Sequence, residues 1–351
     1  MSLVVNFNKA TLEALSLAKV GNQQRGEALK TSKELCKFDG ADKDMLTLAF
    51  LKPFRNLERY RFQHKSSLDL HEMHSYAGTI FEQDDRFLTY SRKIARHLYE
   101  SSKHPNIKAG DLCVAYLKGI QVDGTPCQAI SIVKSETHLP FLEISDQEGD
   151  LRLTTHNGIY PEKIDKGCLI INHDKQGGYL VYTFDKGGAD TNFWVRDFLG
   201  AKARKDDDFK TKKYAEMCVS FADEGLPDEM PKEDRYRVAN DAMQYFADKE
   251  EFNSDHFQEE VLREPEIKEK FKQFKENYKD EDGEPISEEF QINQKVAKKM
   301  SSKIKSVLKL DTGVVMRFTP DFAERSEEIM ERGFDEKMGM KYVKVYFNEE
   351  M

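Results

Sequence analysis

Residues 111–134 read DLCVAYLKGIQVDGTPCQAISIVK, and this stretch decides the fold class. Two apolar runs, 111–118 (DLCVAYLK) and 126–134 (PCQAISIVK), flank Val122-Asp123-Gly124-Thr125. Asp-Gly accepts the positive φ angles that a two-residue hairpin turn requires, so the runs are expected to pair as antiparallel strands. A second pair follows at 167–172 (GCLIIN) and 178–184 (GYLVYTF), joined across 173–177. Strands joined by short turns, rather than by long helices, favour an antiparallel sheet over a doubly wound parallel one.

Toward the N-terminus, residues 11–20 alternate loosely and read as a strand. Residues 42–54 carry Met45, Leu48, Ala49 and Leu51 at helical spacing. Residues 87–101 (FLTYSRKIARHLYES) read as a helix, with Leu88, Ile94, Leu98 and Tyr99 near one face and Pro105 and Gly110 closing it. Toward the C-terminus, Lys186-Gly187-Gly188 breaks the strand run, and 192–199 (NFWVRDFL) holds the single Trp and opens a helical region. Helices are expected over 209–222, 232–247, 254–263, 265–278 and 287–306, with a polar turn at 280–285 (DEDGEP). Strand-like pieces at 306–310, 314–318 and 341–347 predict one terminal antiparallel unit. The expected class is α+β. A mixed domain with antiparallel hairpins spans 1–190, and a largely helical part, 191–351, ends in short antiparallel strands. At 351 residues the chain exceeds the size at which one core stops growing.

Charged residues make up 33% of the chain, which fits a large solvated surface, and no apolar run approaches the roughly 20 residues that span a bilayer. The first residues, MSLVVNFNKATLEAL, show no basic segment ahead of an apolar core, so no secretory leader is expected and a cytoplasmic location is. Five cysteines, none in a C-x-x-C pair, are expected as buried free thiols. The net charge is −9, and all of it lies beyond residue 200. An acidic total argues against a nucleic-acid binder, but binding depends on where the cations sit.

Motifs for catalysis are missing. No phosphate-binding loop of the G-x-x-x-x-G-K-[ST] or G-x-G-x-x-G type occurs, and Gly177-Gly178 reads as a turn. His71-Glu72-Met73-His74 has its two imidazoles three residues apart, not the four of a zinc helix, and reads as a polar surface turn. Asp206-Asp207-Asp208 lies between Lys-rich clusters and reads as a solvated charge run. No G-x-S-x-G or other nucleophile signature is present. The expectation is a protein with no catalytic residues, no metal, no cofactor and no small-molecule substrate.

The basic stretches carry more. From Gln291 to Leu310 there are six lysines and no acid. At about 100° per residue, Ile292, Val296, Met300, Ile304, Val307 and Leu308 share one arc. Lys295, Lys298, Lys299, Lys305 and Lys309 fall opposite, with Lys303 at the edge. An acid-free cationic face is what phosphate contacts need, since each neutralised phosphate releases counterions. An ordinary solvated helix face is an equal alternative. Arg92, Lys93, Arg96 and His97 on the 87–101 helix form a second cluster. Arg55, Arg59, Arg61, His64 and Lys65, interleaved with aromatics, form a third, and Lys202, Arg204, Lys205, Lys210, Lys212 and Lys213 a fourth.

The order of SRKIARHLYESS, GDLCVAYLKG, QAISIVKSE, KGCLIIN, NFWVRDFLG and VLKLDTGVVMRFTPDF resembles the bacterial 37-kilodalton nucleoid-associated protein family, also called NdpA-like, from about Lys9 to Phe347. The resemblance implies a DNA-associated protein of the nucleoid that binds duplex DNA with no known enzymatic reaction, and it carries no catalytic residue set. The acidic total departs from the small, strongly basic nucleoid proteins, so binding is expected to be local and salt-sensitive, with a homodimer doubling the contacts. The expected DNA-binding residues are Lys295, Lys298, Lys299, Lys303, Lys305, Arg92, Lys93 and Arg96. The rival expectation is a protein-interaction or scaffold factor, for example a phage-defence accessory protein. A metal-dependent nuclease stands third.

Overall fold

The computed structural model describes residues 3–349 apart from 56, 148, 188–192, 228–229, 281, 303, 305 and 306. Contacts divide the chain into two compact units, one of Leu3–Arg204 and the other of the described residues from Lys205 onward.

The first unit contains β1 (Val5–Asn6), β2 (Thr11–Val20), β3 (Lys30–Thr31), α1 (Gly40–Leu51), β4 (Arg59–Phe62), α2 (Glu72–Glu82) and α3 (Phe87–Ser101). It continues with β5 (Gly110–Val122), β6 (Thr125–Ser135), β7 (Leu139–Gln147), β8 (Asp150–Gly158), β9 (Lys166–Ile171), β10 (Leu180–Asp185) and β11 (Ala201–Ala203). Among the described residues, all but β7 and β8 join one nine-stranded sheet in the order β11-β4-β10-β9-β6-β5-β2-β3, with β1 also on β5. Every pairing in it is antiparallel.

The β5–β6 hairpin turns where the sequence places it. Asp123 and Gly124 have φ of 47° and 81°, the double positive value of a type I′ turn. The apolar runs are nearly continuous because both sheet faces are covered. Val114, Tyr116, Ile130, Ile132, Ile170 and Val181 pack against α2 and α3. Their alternate neighbours Cys113, Ala115, Leu117, Val133 and Leu169 pack with Phe50, Leu51 and Phe54 at the end of α1. Successive side chains point to opposite faces, so one run feeds two cores.

Trp194 is fully buried in the first of these cores, where its indole N–H donates to the Gly167 carbonyl and the Thr183 hydroxyl. The stretch around it forms a buried π-helical turn, Phe193–Phe198, which leads into β11 on the edge of the sheet. Sequence reading sets the domain break at 190/191, and the contacts set it at 204/205. Residues 193–203 stay with the first unit because their aromatics complete its core.

The second unit contains α4 (Asp207–Ser220), α5 (Lys232–Asp248), β12 (Glu251–Asn253), α6 (Ser254–Val261), α7 (Pro265–Asn277), β13 (Glu289–Gln291) and α8 (Gln294–Ser301). It ends with β14 (Val307–Lys309), β15 (Val315–Arg317), α9 (Pro320–Ile329), β16 (Met330–Asp335) and β17 (Met340–Val345). Its core is aromatic. Phe252 is stacked between Phe246 (5.4 Å) and Phe290 (4.7 Å), and Tyr214 lies 4.1 Å from Phe252.

Two expectations are corrected here. The helix expected over 287–306 is cut to Gln294–Ser301, because Glu289–Gln291 pairs instead with β12 so that Phe290 can face Phe252. The three terminal strands expected as one unit form two separate hairpins, β14–β15 and β16–β17. The partner of the last strand, β16, has the sequence MERGFD, too short an apolar pattern to read in advance. The α+β class with short antiparallel strands at its C-terminal end holds.

Candidate nucleic-acid interface

Helix α8 starts at Asn293, whose side-chain oxygen accepts from the backbone N–H groups of Lys295 (2.9 Å) and Val296 (3.3 Å). Its side-chain nitrogen donates to Asp208 at 2.6 Å, which fixes the cap to α4. Ala297 and Met300 are buried, and Ile292 just ahead of the helix is too. The apolar face the sequence foresaw is therefore present over its first two turns. Lys295, Lys298 and Lys299 are exposed on the other side, and none of them forms an ion pair among the described residues. Lys298 and Lys299 stand in the last turn, where the helix dipole favours cations. Lys303 and Lys305 lie outside the described residues. Val307 and Leu308 belong to β14, so the wheel that placed them on the helix stops at Ser301.

The other basic clusters are largely engaged. Arg92 on α3 is half-buried, and its guanidinium donates to the carbonyls of Ser32 (2.8 and 2.9 Å) and Lys33 (2.6 Å). It ties the loop after β3 to the helix and presents few donors outward. Lys93 is exposed and lies 4.3 Å from the centre of the Tyr90 ring; Arg96, one turn on, is exposed. Arg59 donates to the Leu3 carbonyl, Arg204 pairs with Asp174 at 2.7 Å and Lys205 with Asp280 at 2.6 Å. Lys212 and Lys213 both reach Glu216. Spacing in the sequence cannot show this, because the partners of Arg59, Arg92, Arg204 and Lys205 lie at least 30 positions away.

The His71–His74 pair is a correction. It is no surface turn: both residues are buried at the start of α2. The Nδ1 of His71 accepts from the His74 backbone N–H, and its Nε2 lies 3.1 Å from the Gly200 carbonyl. A nitrogen that accepts at one end and meets a carbonyl at the other is a neutral imidazole with its proton on Nε2. Burial accordingly holds the His71 pKa below its usual value, with the hydrogen bond to Gly200 opposing. His74 Nε2 meets the Lys175 carbonyl at 2.9 Å, and His97 Nε2 meets that of Phe198 at 2.9 Å. These imidazoles staple α2 and α3 to backbone; each has its Nε2 spent and offers no ring nitrogen at that end to a substrate.

Cys113, Cys127, Cys168 and Cys218 are buried free thiols, and Cys36 is half-buried. Desolvation pushes Cys113 up to about 12 and raises Cys168 and Cys218 further, so these three thiols stay protonated at neutral pH. Among the described residues no group of three or more His, Cys, Asp or Glu is placed to hold a metal ion. Among the same residues no helix is long and apolar enough to cross a membrane.

A comparison with curated proteins gives no match. A family model described as nucleoid-associated protein YejK matches residues 17–338, which takes in most of the sheet, both helical layers on it and α8. A match over most of the chain, in line with the motif order read from the sequence, shows that this chain belongs to the nucleoid-associated protein YejK family and associates with DNA at the nucleoid.

Proposed function

We propose that the chain binds double-stranded DNA without catalysing a reaction on it, mainly through sequence-independent contacts between lysines and phosphates. Lys295, Lys298 and Lys299 carry the contacts, with Lys303 and Lys305 extending the same acid-free stretch. Lys93 and Arg96 are secondary. Arg92 contributes least, since its donors serve the Ser32–Lys33 loop. The observation that supports this reading is a short capped helix that buries its apolar side and leaves three ammonium groups without an acid among the described residues. Cations already paired with carboxylates would have to break those pairs before meeting a phosphate. These three would not.

The test is fluorescence anisotropy with a labelled duplex across a salt series. The log–log slope of affinity against salt is about −0.9 per neutralised phosphate. Lys298→Glu with Lys299→Glu is expected to weaken binding at least tenfold and to flatten the slope by roughly two contacts. Unchanged affinity and slope would show that the lysine assignment is wrong. No binding by the intact protein even at low salt would move the reading to a protein-interaction factor. Cleavage of the duplex with magnesium or manganese would overturn the non-enzymatic part.

A further inference from the structure

Among the described residues, strands β7 and β8 pair only with each other. They form a nine-by-nine-residue hairpin, in register from Leu139↔Gly158 to Gln147↔Asp150. No described residue of 139–158 belongs to any of the apolar cores. The two faces of this arm differ. One carries the pairs Leu142↔Thr155, Ile144↔Leu153 and Asp146↔Leu151; the other carries Phe141↔His156, Glu143↔Thr154 and Ser145↔Arg152. On the first face Leu142, Ile144, Leu151 and Leu153 are 66, 70, 72 and 64% exposed. An isolated two-stranded hairpin is marginal in water, and a contiguous apolar face on a monomer marks an interaction surface.

We propose that this arm is the surface through which two copies of the chain pair, arm against arm, with the Leu142–Ile144–Leu151–Leu153 face of each covering that of the other. Charge selects the occupant. The sequence of the arm holds four acids, Glu143, Asp146, Glu148 and Asp150, against a single arginine, Arg152, so a phosphate backbone is repelled from it. A two-fold axis reverses one arm on the other and brings the acidic tip, Asp146 and Asp150, to the partner copy's arm base. At that base, five residues after β8, Lys163 is exposed and makes no ion pair among the described residues. An apolar face with an acidic end and a cationic end is complementary to itself when reversed, as a two-fold interface requires.

The area also fits. At about 3.4 Å per residue the arm is about 30 Å long, and with two strands about 10 Å wide it offers on the order of 300 Å². A stable pair needs about 800 Å² from each partner. The apolar surface continues through Ile159 into a cleft of about 220 Å³ lined by Met45, Ala49, Pro161 and Ile164. Met45 and its neighbour Leu48 are 52 and 60% exposed, which extends the surface toward the required size. The inference does not rest on the DNA reading, although two linked lysine helices would raise avidity for a duplex.

The experiment is the mass of the full chain in solution by light scattering over micromolar concentrations. The wild type is expected at twice 40.7 kDa and the Ile144→Ser/Leu153→Ser variant at 40.7 kDa. Unchanged circular dichroism and Trp194 fluorescence would show the variant folded, as expected for residues outside every core. A monomeric wild type, or a variant that stays dimeric, overturns the proposal. Lys163→Glu is expected to weaken the dimer several-fold, and adding Asp146→Lys to restore it. No effect of the first change, or no restoration by the second, overturns the reversed arm-on-arm register. Neither outcome touches the DNA result, which is read from the lysine variants.

Discussion

The two units solve the problem of burying apolar surface in opposite ways. In the first, a sheet covered on both sides lets each strand serve two cores, so one run such as LCVAYL supplies both. In the second, small hairpins and short helices close around a knot of aromatic rings, in which β12 and β13 exist mainly to bring Phe252 and Phe290 together. The first depends on register, which local turns set. The second depends on contacts between residues far apart in the chain. Their charges differ as well: the first unit buries two lysines together with their carboxylates, whereas no described lysine of the second is fully buried.

The buried network gives the largest way to break this comparison. Lys134 is fully buried, with its ammonium 2.7 Å from Glu136 and 2.6 Å from the Lys108 carbonyl. Lys166 lies 3.7 Å from the same carboxylate and 2.6 Å from Asp185. Desolvation holds the Lys134 pKa below its ordinary value, with Glu136 opposing. Glu136→Ala leaves the buried Lys134 ammonium without its carboxylate, with Lys166 held by Asp185 alone, and is expected to cost about 3–5 kcal/mol. Trp194 lies in this unit and is the only Trp, so urea unfolding followed by its fluorescence reads this loss directly. A midpoint that stays in place would mean the network contributes nothing.

In the second unit, Phe252→Ala removes the ring between two stacked neighbours. It is expected to cost about 3–5 kcal/mol, seen as an earlier loss of helical signal in circular dichroism. If Phe252→Leu costs as much, ring stacking rather than volume carries the core.

A smaller effect comes from Asn293→Ala, which removes the cap of α8 and is expected to cost about 1 kcal/mol. Because it disorders the helix start without removing charge, DNA affinity should fall far less than in the Lys298/Lys299 reversal. An equal fall would mean that helix order, not charge, governs binding.

The smallest effect is a pH slope. His71 has its folded-state pKa lowered, chiefly by burial, from an unfolded value of 6.5. The unfolded chain therefore binds a proton first, so this contribution is intact above pH 6.5 and is lost as pH falls from there through the folded-state value. His71→Gln should flatten the stability profile of the first unit below pH 6.5 relative to the wild type. A variant profile parallel to that of the wild type would show that His71 does not titrate on unfolding.

Elements whose cause is local are legible in neighbouring residues. Asp123-Gly124 and two flanking apolar runs made the β5–β6 hairpin, and helical spacing gave α3 its observed bounds, Phe87–Ser101. The motif order gave the family. The 139–158 hairpin went unread because its alternating apolar residues face solvent and mimic a solvated stretch. Which cations are engaged follows from long-range folding, since Arg92 meets Ser32 and Arg204 meets Asp174 across 60 and 30 residues of chain. It also turned His71 and His74 into staples, because the carbonyls that hold them belong to Gly200 and Lys175. It cut the lysine helix at Gln294, because an aromatic core drew Phe290 into a strand. Local turns and periodicity are written in neighbouring residues, whereas the state of a charged group is set by whatever the fold brings beside it.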